Sequence, residues 1–341
     1  MQPQVADQAA AGRRASTART RRTFRTRHAK QTRHTIRTRR TNPPGPAGGP
    51  WWGSRKAKGL AYAAPTATFV TVFFVLPLLL VGQMSLSDWP LLAGDRGINS
   101  PENYTDVTDN TLFWPAIRFT LLYTVIVTAV LLGLALLLAL LVQESRPGVG
   151  FFRTVYFLPG ALGLASASLL FWGLYSPTTG PLSALLEGLG LVDDPVSFLG
   201  SPTSALLSTV FLIVWKFAGF YMLILLVGLQ RIPHEVYEAA RMDGADRWQI
   251  FRRITLPLLR PSLALTLLLC ATGSLLAFDQ FFILTKGGPD NSTVTIVQLI
   301  YREAFQRLDL GTAAALSIIV LAVLLLLNVL QFRGLRHADE S

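Results

Sequence analysis

The sequence predicts an all-α membrane protein with six transmembrane helices, on three observations. Of its 341 residues 51% are hydrophobic and only 15% charged, with a mean hydropathy of +0.41, whereas soluble domains carry about 25% charged residues. The apolar residues are gathered into segments of twenty or more with almost no charge, and about 20 such residues let a helix cross a hydrocarbon core about 30 Å thick. Basic residues, finally, gather in one set of alternating loops, the asymmetry that orients membrane helices.

The chain opens on a basic tail. Residues 1–58 carry 15 of the 31 Lys and Arg and one acidic residue, Asp7. The net charge of +11 belongs to this segment, since the remaining residues hold 16 basic and 19 acidic side chains. Residues 1–40 alternate Arg with Thr and show no hydrophobic period. Too little apolar surface is available there to offset the entropy of ordering, so disorder is expected. Residues 41–50 read as a linker. The basic region is far too long for a secretory signal. A tethered polybasic segment suits anionic lipid headgroups; nucleic-acid binding and an initiation site upstream of the true one are the alternatives.

Six spans follow, at about 60–82, 119–142, 154–175, 205–229, 261–284 and 312–330, within a transmembrane domain covering 59–335. Each has the length of a spanning helix at about 1.5 Å rise per residue. Pro65 and Pro77 in the first are tolerable, because neighbouring helices can satisfy freed carbonyls. With a cytoplasmic amino terminus, the inner segments hold 25 of the 31 basic residues. The outer loops and spans keep six: Arg96, Arg118, Lys216, Lys286, Arg302 and Arg307. Both termini are therefore expected in the cytoplasm, in a multi-pass protein of the cell membrane. One cysteine, Cys270, cannot form an internal disulfide and reads as a small hydrophobe, and with four His residues, two of them in the tail, no metal site can be assembled.

The most informative segment is the inner loop at 230–260, between spans four and five. It reads as two short amphipathic helices, His234 to Met242 and one from near Ala245. Asp243-Gly244 between them is a turn pair, with Gly244 free to take positive φ. The second helix is expected to stop short of Pro257, because the residue before proline is pushed out of the helical region. Designed structure over some thirty loop residues reads as a docking surface.

Here the chain resembles the permeases of binding-protein-dependent ATP-binding-cassette importers. Their pattern E-A-A-x3-G-x9-I-x-L-P is matched by Glu238-Ala239-Ala240, Gly244 and Ile254-Thr255-Leu256-Pro257, with every spacing kept. The resemblance implies the type I importer permease fold and makes the loop the coupling helices, which sit in a cleft on the ATP-binding subunit. Small Ala239 and Ala240 allow close approach, Asp243 and Gly244 make the bend, and Glu238 can pair with a basic group. Phe278-Asp279 followed by Thr285-Lys286-Gly287-Gly288-Pro289 resembles the carbohydrate-uptake members. Asn103-Tyr104, Phe152-Arg153, Phe157-Leu158-Pro159, Trp215-Lys216 and Leu310-Gly311 add to that likeness, which covers roughly 60–335 and leaves out the tail.

Lys216 and Asp279 lie within or at the edge of spans. A charge at that depth costs at least about 2.5–3.5 kcal/mol, so it normally faces a cavity or a partner. One reading sets both on the substrate path with Trp215, Tyr221, Ser274 and Phe278, where aromatic faces and hydrogen-bonding groups suit a sugar. The other pairs Lys216 with a companion permease and leaves Asp279 at the outer interface, and aromatic residues near interfaces are common.

The resemblance implies alternating access. An external solute-binding protein delivers a carbohydrate-like solute to the outer loops, especially 84–115 and 176–204. The pore forms with a second, homologous permease, and two ATP-binding subunits move the coupling loop. The chain is expected to be a transport subunit, not an enzyme, and to need no cofactor: ATP belongs to the partner, and no Gly-rich phosphate loop ending in Gly-Lys-Ser/Thr occurs here. A secondary transporter would need ionisable residues distributed through its spans and internal repeats. A membrane-embedded enzyme would need clustered His, Asp or Glu. Neither pattern is evident.

Overall fold

A computed structural model describes residues 51–144 and 147–339. The Arg/Thr tail at 1–40 and the linker at 41–50 lie outside the described residues. By compactness the chain divides into Met1–Ala63 and Ala64–Ser341. Of the first unit, residues 51–63 are described, all helical. The described helix thus includes residues 51–58, which composition assigns to the basic tail.

The helices run in order α1 (Trp51–Val70), α2 (Leu76–Met84), α3 (Glu102–Asp109), α4 (Phe113–Leu141), α5 (Val149–Phe157), α6 (Leu164–Leu174), α7 (Pro181–Gly188) and α8 (Pro202–Gln230). Then come α9 (His234–Met242), α10 (Arg247–Ile250), α11 (Leu256–Leu258), α12 (Arg260–Leu275), α13 (Asp279–Leu284), α14 (Ile296–Tyr301) and α15 (Leu310–Asp339). Five stretches are long and apolar enough to cross a membrane: Gly59–Met84, Phe113–Leu141, Pro202–Gln230, Arg260–Leu284 and Leu310–Gln331. The sixth is a broken pair, Val149–Ala161 with Leu164–Leu174, bent by 94°.

That break corrects the third predicted span, an unbroken 154–175. Pro159 removes a backbone donor and Gly160 and Gly163 weaken helix, so the chain turns through extended Leu162 and Gly163. The freed carbonyls of Gly160 and Leu162 both accept from the ammonium of Lys216, which is buried on α8. The fifth predicted span is likewise interrupted, with residues 276–278 leaving the helix between α12 and α13. There the Ala277 carbonyl accepts from the Thr295 hydroxyl at 2.8 Å, which spares that backbone group from facing hydrocarbon unpaired.

Two other prolines, Pro77 and Pro257, are absorbed by widened turns. A π-helical segment, Thr71–Val75, precedes Pro77, and another, Phe251–Thr255, precedes Pro257. The wider turn removes the clash between the ring and the preceding carbonyls and tolerates the missing donor.

The core lies along α4, α8 and α12. Tyr123, Val127, Leu131 and Ala135 of α4 are buried with Leu212, Met222 and Leu225 of α8. Gly219 lets α8 approach α5, for a Cβ there would overlap the Tyr156 carbonyl; small residues at crossings are how membrane helices gain packing contact. A second cluster joins Val107, Phe113, Leu299 and Leu316.

Candidate functional site

The 230–260 loop is built around one left-handed residue. Gly244 has φ +78°. Its N–H donates to Arg241 O at 3.1 Å and that of Ala245 to Ala240 O at 3.0 Å, the paired bonds of a Schellman stop to α9. No atom lies within 4 Å of a Cβ built at Gly244, so the demand for glycine there is conformational. Asp246 then opens α10 with a reciprocal cap. Its carboxylate accepts from Gln249 N at 2.7 Å, while Asp246 N donates to Gln249 Oε1 at 3.1 Å. Sequence reasoning missed this cap, although Asp-x-x-Gln before an apolar run is its signature.

The loop presents an exposed surface. Glu238, Ala239 and Asp243 face solvent, and Glu238 makes no ion pair among the described residues. Ala240 is buried. Two large apolar side chains not singled out from sequence stand open beside them, Met242 at 87% and Trp248 at 65% exposure. A cleft of about 680 Å³ separates α9 from the 143–144 turn and is lined by Gln143, His234, Tyr237 and Arg241. At the end of α4, Arg153 of α5 donates to the Val142 carbonyl. Ile254, Leu256 and Pro257 are half-buried in a nearly continuous helical path from the loop into α12. The predicted stop before Pro257 is thus corrected, because the π turn accommodates the ring. The loop is therefore joined to span five by helix rather than by slack chain.

A cavity of about 320 Å³ lies between α4, α8 and the interrupted fifth span. It brings together four of the six path residues named from sequence: Tyr221 of α8, Ser274 of α12, Phe278 of the unwound segment and Asp279 at the start of α13. Two further residues complete its polar lining. Gln280 Nε2 donates to the Tyr123 hydroxyl at 3.1 Å, and Gln280 Oε1 is buried without a partner among the described residues. Gln280 stood beside Asp279 as a polar residue inside a span, a signal that was readable; Tyr123 carried none.

Trp215 and Lys216 do not line this cavity. Lys216 is committed to the carbonyls of the α5–α6 break, with its ammonium 5.0 Å from the Phe217 ring. Trp215 packs on Phe171 of α6 at 5.1 Å.

Five apolar helices and one bent pair long enough to cross a membrane, an exposed loop joined by helix to a span, and a polar cavity at a broken helix are the architecture of a multi-pass membrane permease. The family described as binding-protein-dependent transport system inner membrane components matches residues 62–333, and the chain belongs to that family. It is thus a permease component of an ATP-binding-cassette importer; in this family ATP hydrolysis takes place on separate subunits. A probable ABC transporter permease protein of Bacillus subtilis, YurN, is 31% identical, covering 82% of this chain and 96% of its own length. The multiple sugar-binding transport system permease protein MsmF of Streptococcus mutans is 32% identical over 77% of this chain and 89% of its own. A crystal structure of a bacterial ABC transporter that imports the acidic polysaccharide alginate contains a chain superposing with a TM-score of 0.74 at 26% identity, covering 84% of this chain and 98% of that one.

Proposed function

We propose that this chain forms half of the translocation pathway of a sugar importer, with a second, homologous permease as the other half. One of two ATP-binding subunits docks on the face formed by Glu238, Ala239, Met242 and Trp248, the other on the second permease, and a solute-binding protein delivers a carbohydrate to the opposite side. Both termini lie in the cytoplasm, in keeping with the 25 basic residues on that side. The likeness to MsmF of a multiple sugar-binding transport system and to the alginate importer supports a sugar, as does the cavity, whose hydroxyl, amide and carboxylate groups beside Phe278 match the mixed surface of a pyranose. The 84–115 and 176–204 segments receive the loaded binding protein.

The observation that carries the reading is the loop: a glycine-terminated helix with exposed apolar side chains, joined to span five by helix. Nucleotide-driven closure of the partner subunits moves α9 and α10, and span five follows with the cavity it lines. The test is uptake of tritiated maltose, trehalose, lactose and diacetylchitobiose in cells carrying the complete transporter. At least one sugar is expected to accumulate, and accumulation is expected to vanish when the phosphate-loop lysine of the ATP-binding subunit is replaced. Uptake that survives that replacement contradicts the coupling, and no uptake of any sugar contradicts the substrate class.

A further inference from the structure

The cavity at the broken fifth span is one-sided in charge. Asp279 is the carboxylate among its lining residues, and no Lys, Arg or His lines it among the described residues. Asp279 makes no ion pair and no side-chain hydrogen bond among the described residues. Beside it, Gln280 Oε1 is buried without a partner among the described residues, while the amide nitrogen of Gln280 donates to the Tyr123 hydroxyl. The Lys216 ammonium, next in sequence to Phe217 of the cavity wall, is taken by the Gly160 and Leu162 carbonyls.

An unpaired carboxylate at membrane depth is costly, and such a group normally serves a solute path or a partner. Away from bulk water, two like charges a few ångströms apart repel several times more strongly than in solution. A second carboxylate entering the cavity meets Asp279 with no cation on this wall to offset it. Gln280 Oε1 offers it another acceptor where it needs a donor. A hydroxyl or an ammonium, by contrast, finds an acceptor at both positions. The hydroxyls of Tyr221 and Ser274 can donate or accept and do not bias the choice.

We propose that Asp279 sets the charge class of the solute, so that the cavity takes uncharged and amino sugars and turns acidic ones away. The inference rests on the sugar reading and narrows it. It also parts this chain from the alginate importer on which it superposes, whose polysaccharide is acidic. Asp279 is thus a specificity-determining residue of this chain's half of the pathway, with Gln280 Oε1 as the second acceptor.

The test uses this chain assembled with its companion permease and ATP-binding subunits in nanodiscs. The solute-binding protein is left out, so that its own choice does not enter. The disaccharide that cells accumulate best is set against its uronic acid and its amino-sugar analogue, and saturation-transfer NMR reads how well each competes for the complex. The uronic acid is expected to compete about tenfold or more weakly than the parent, and the amino sugar at least as well as the parent. In the assembled Asp279→Asn complex, parent and uronic acid are expected to come within about threefold of each other. Raising the salt from about 10 mM to about 0.5 M is expected to narrow the wild-type gap, which needs no variant. Equal competition by the uronic acid in wild type overturns the selection and leaves the sugar reading standing. So does a gap indifferent to salt, a gap unchanged in the assembled Asp279→Asn complex, or a parent sugar that cells accumulate but that gives no transfer. A wild type that accumulates no disaccharide overturns the sugar reading, and the selection falls with it.

Discussion

The amide of Gln280 and the hydroxyl of Tyr123 meet at 3.1 Å, 157 residues apart in sequence, and tie the segment beyond the break in span five to the centre of α4. Both are buried. Gln280 Oε1 is left over, one acceptor held ready at the cavity wall.

Removing the hydroxyl with Tyr123→Phe leaves the Gln280 N–H groups buried without their acceptor, at a cost of about 1–3 kcal/mol. The unfolding midpoint in detergent is expected to fall by several degrees, and uptake with it. Gln280→Leu is expected to lower the midpoint by a similar amount, because the buried Tyr123 hydroxyl loses its partner, but to abolish more of the uptake, because the free Gln280 acceptor at the cavity is lost as well. The two variants, compared by fluorescence-detected unfolding and labelled-sugar uptake, separate support from solute contact.

Lys216 offers a clean choice between anchoring and solute binding. Lys216→Met removes the donor to two carbonyls at the α5–α6 break and is expected to lower stability by about 1–3 kcal/mol, whichever sugar is offered. Lys216→Arg is expected to recover part of it. Full stability with altered selectivity among sugars would assign Lys216 to the path instead.

Glu303 lies between spans five and six with its side chain 2% exposed. Burial pushes its carboxyl above the usual carboxylate range, opposed by Arg307 and by the Asn110 amide, which donates at 2.7 Å, and reinforced by Asp309. A raised folded value means that the folded chain binds more protons than the unfolded one. The contribution of this group is therefore fully present below its unfolded value of about 4.3 and is lost as pH rises through the folded value. Glu303→Gln keeps an acceptor for Asn110 and is expected to flatten that part of the pH dependence. Unfolding midpoints across the acid range in both proteins check this.

Gly244→Val sets a β-branched residue at φ +78°, a conformation that costs non-glycine residues about 1–3 kcal/mol. Nothing crowds the site, so the helices are expected to insert normally while α9 and α10 lose their mutual angle. Uptake is expected to fall at least tenfold, with less ATP-binding subunit co-purifying from membranes. Gly244→Asn, which tolerates left-handed geometry better, is expected to be milder.

Much of this was legible because membrane physics writes itself into sequence: apolar runs gave six crossings, and the Asp243-Gly244 pair between amphipathic stretches gave the bend. The interruptions were harder to read. Pro159 with Gly160 and Gly163 signals a weak helix, but whether it kinks or breaks depends on Lys216, 54 residues from Leu162, accepting the role of carbonyl partner. Pro257 reads locally as a stop, yet an inserted π turn carries helix through it. The cavity was half visible, because Tyr221, Ser274, Phe278 and Asp279 sit on or beside spans four and five. Tyr123 was not, since a tyrosine on a uniformly apolar α4 looks like core until Gln280 is seen against it.

Entry of force at the loop is tested most directly by a Met242→Cys variant. Met242 is 87% exposed, and the native Cys270 is buried, so a thiol probe should report the introduced thiol alone. In inside-out vesicles carrying the full transporter, that thiol is expected to react with a membrane-impermeant maleimide when the ATP-binding subunits are stripped away. It is expected to be shielded when they are bound, and to crosslink to them at a yield that changes with nucleotide. Labelling of the variant only in right-side-out vesicles, or crosslinking yields indifferent to nucleotide, would contradict the account.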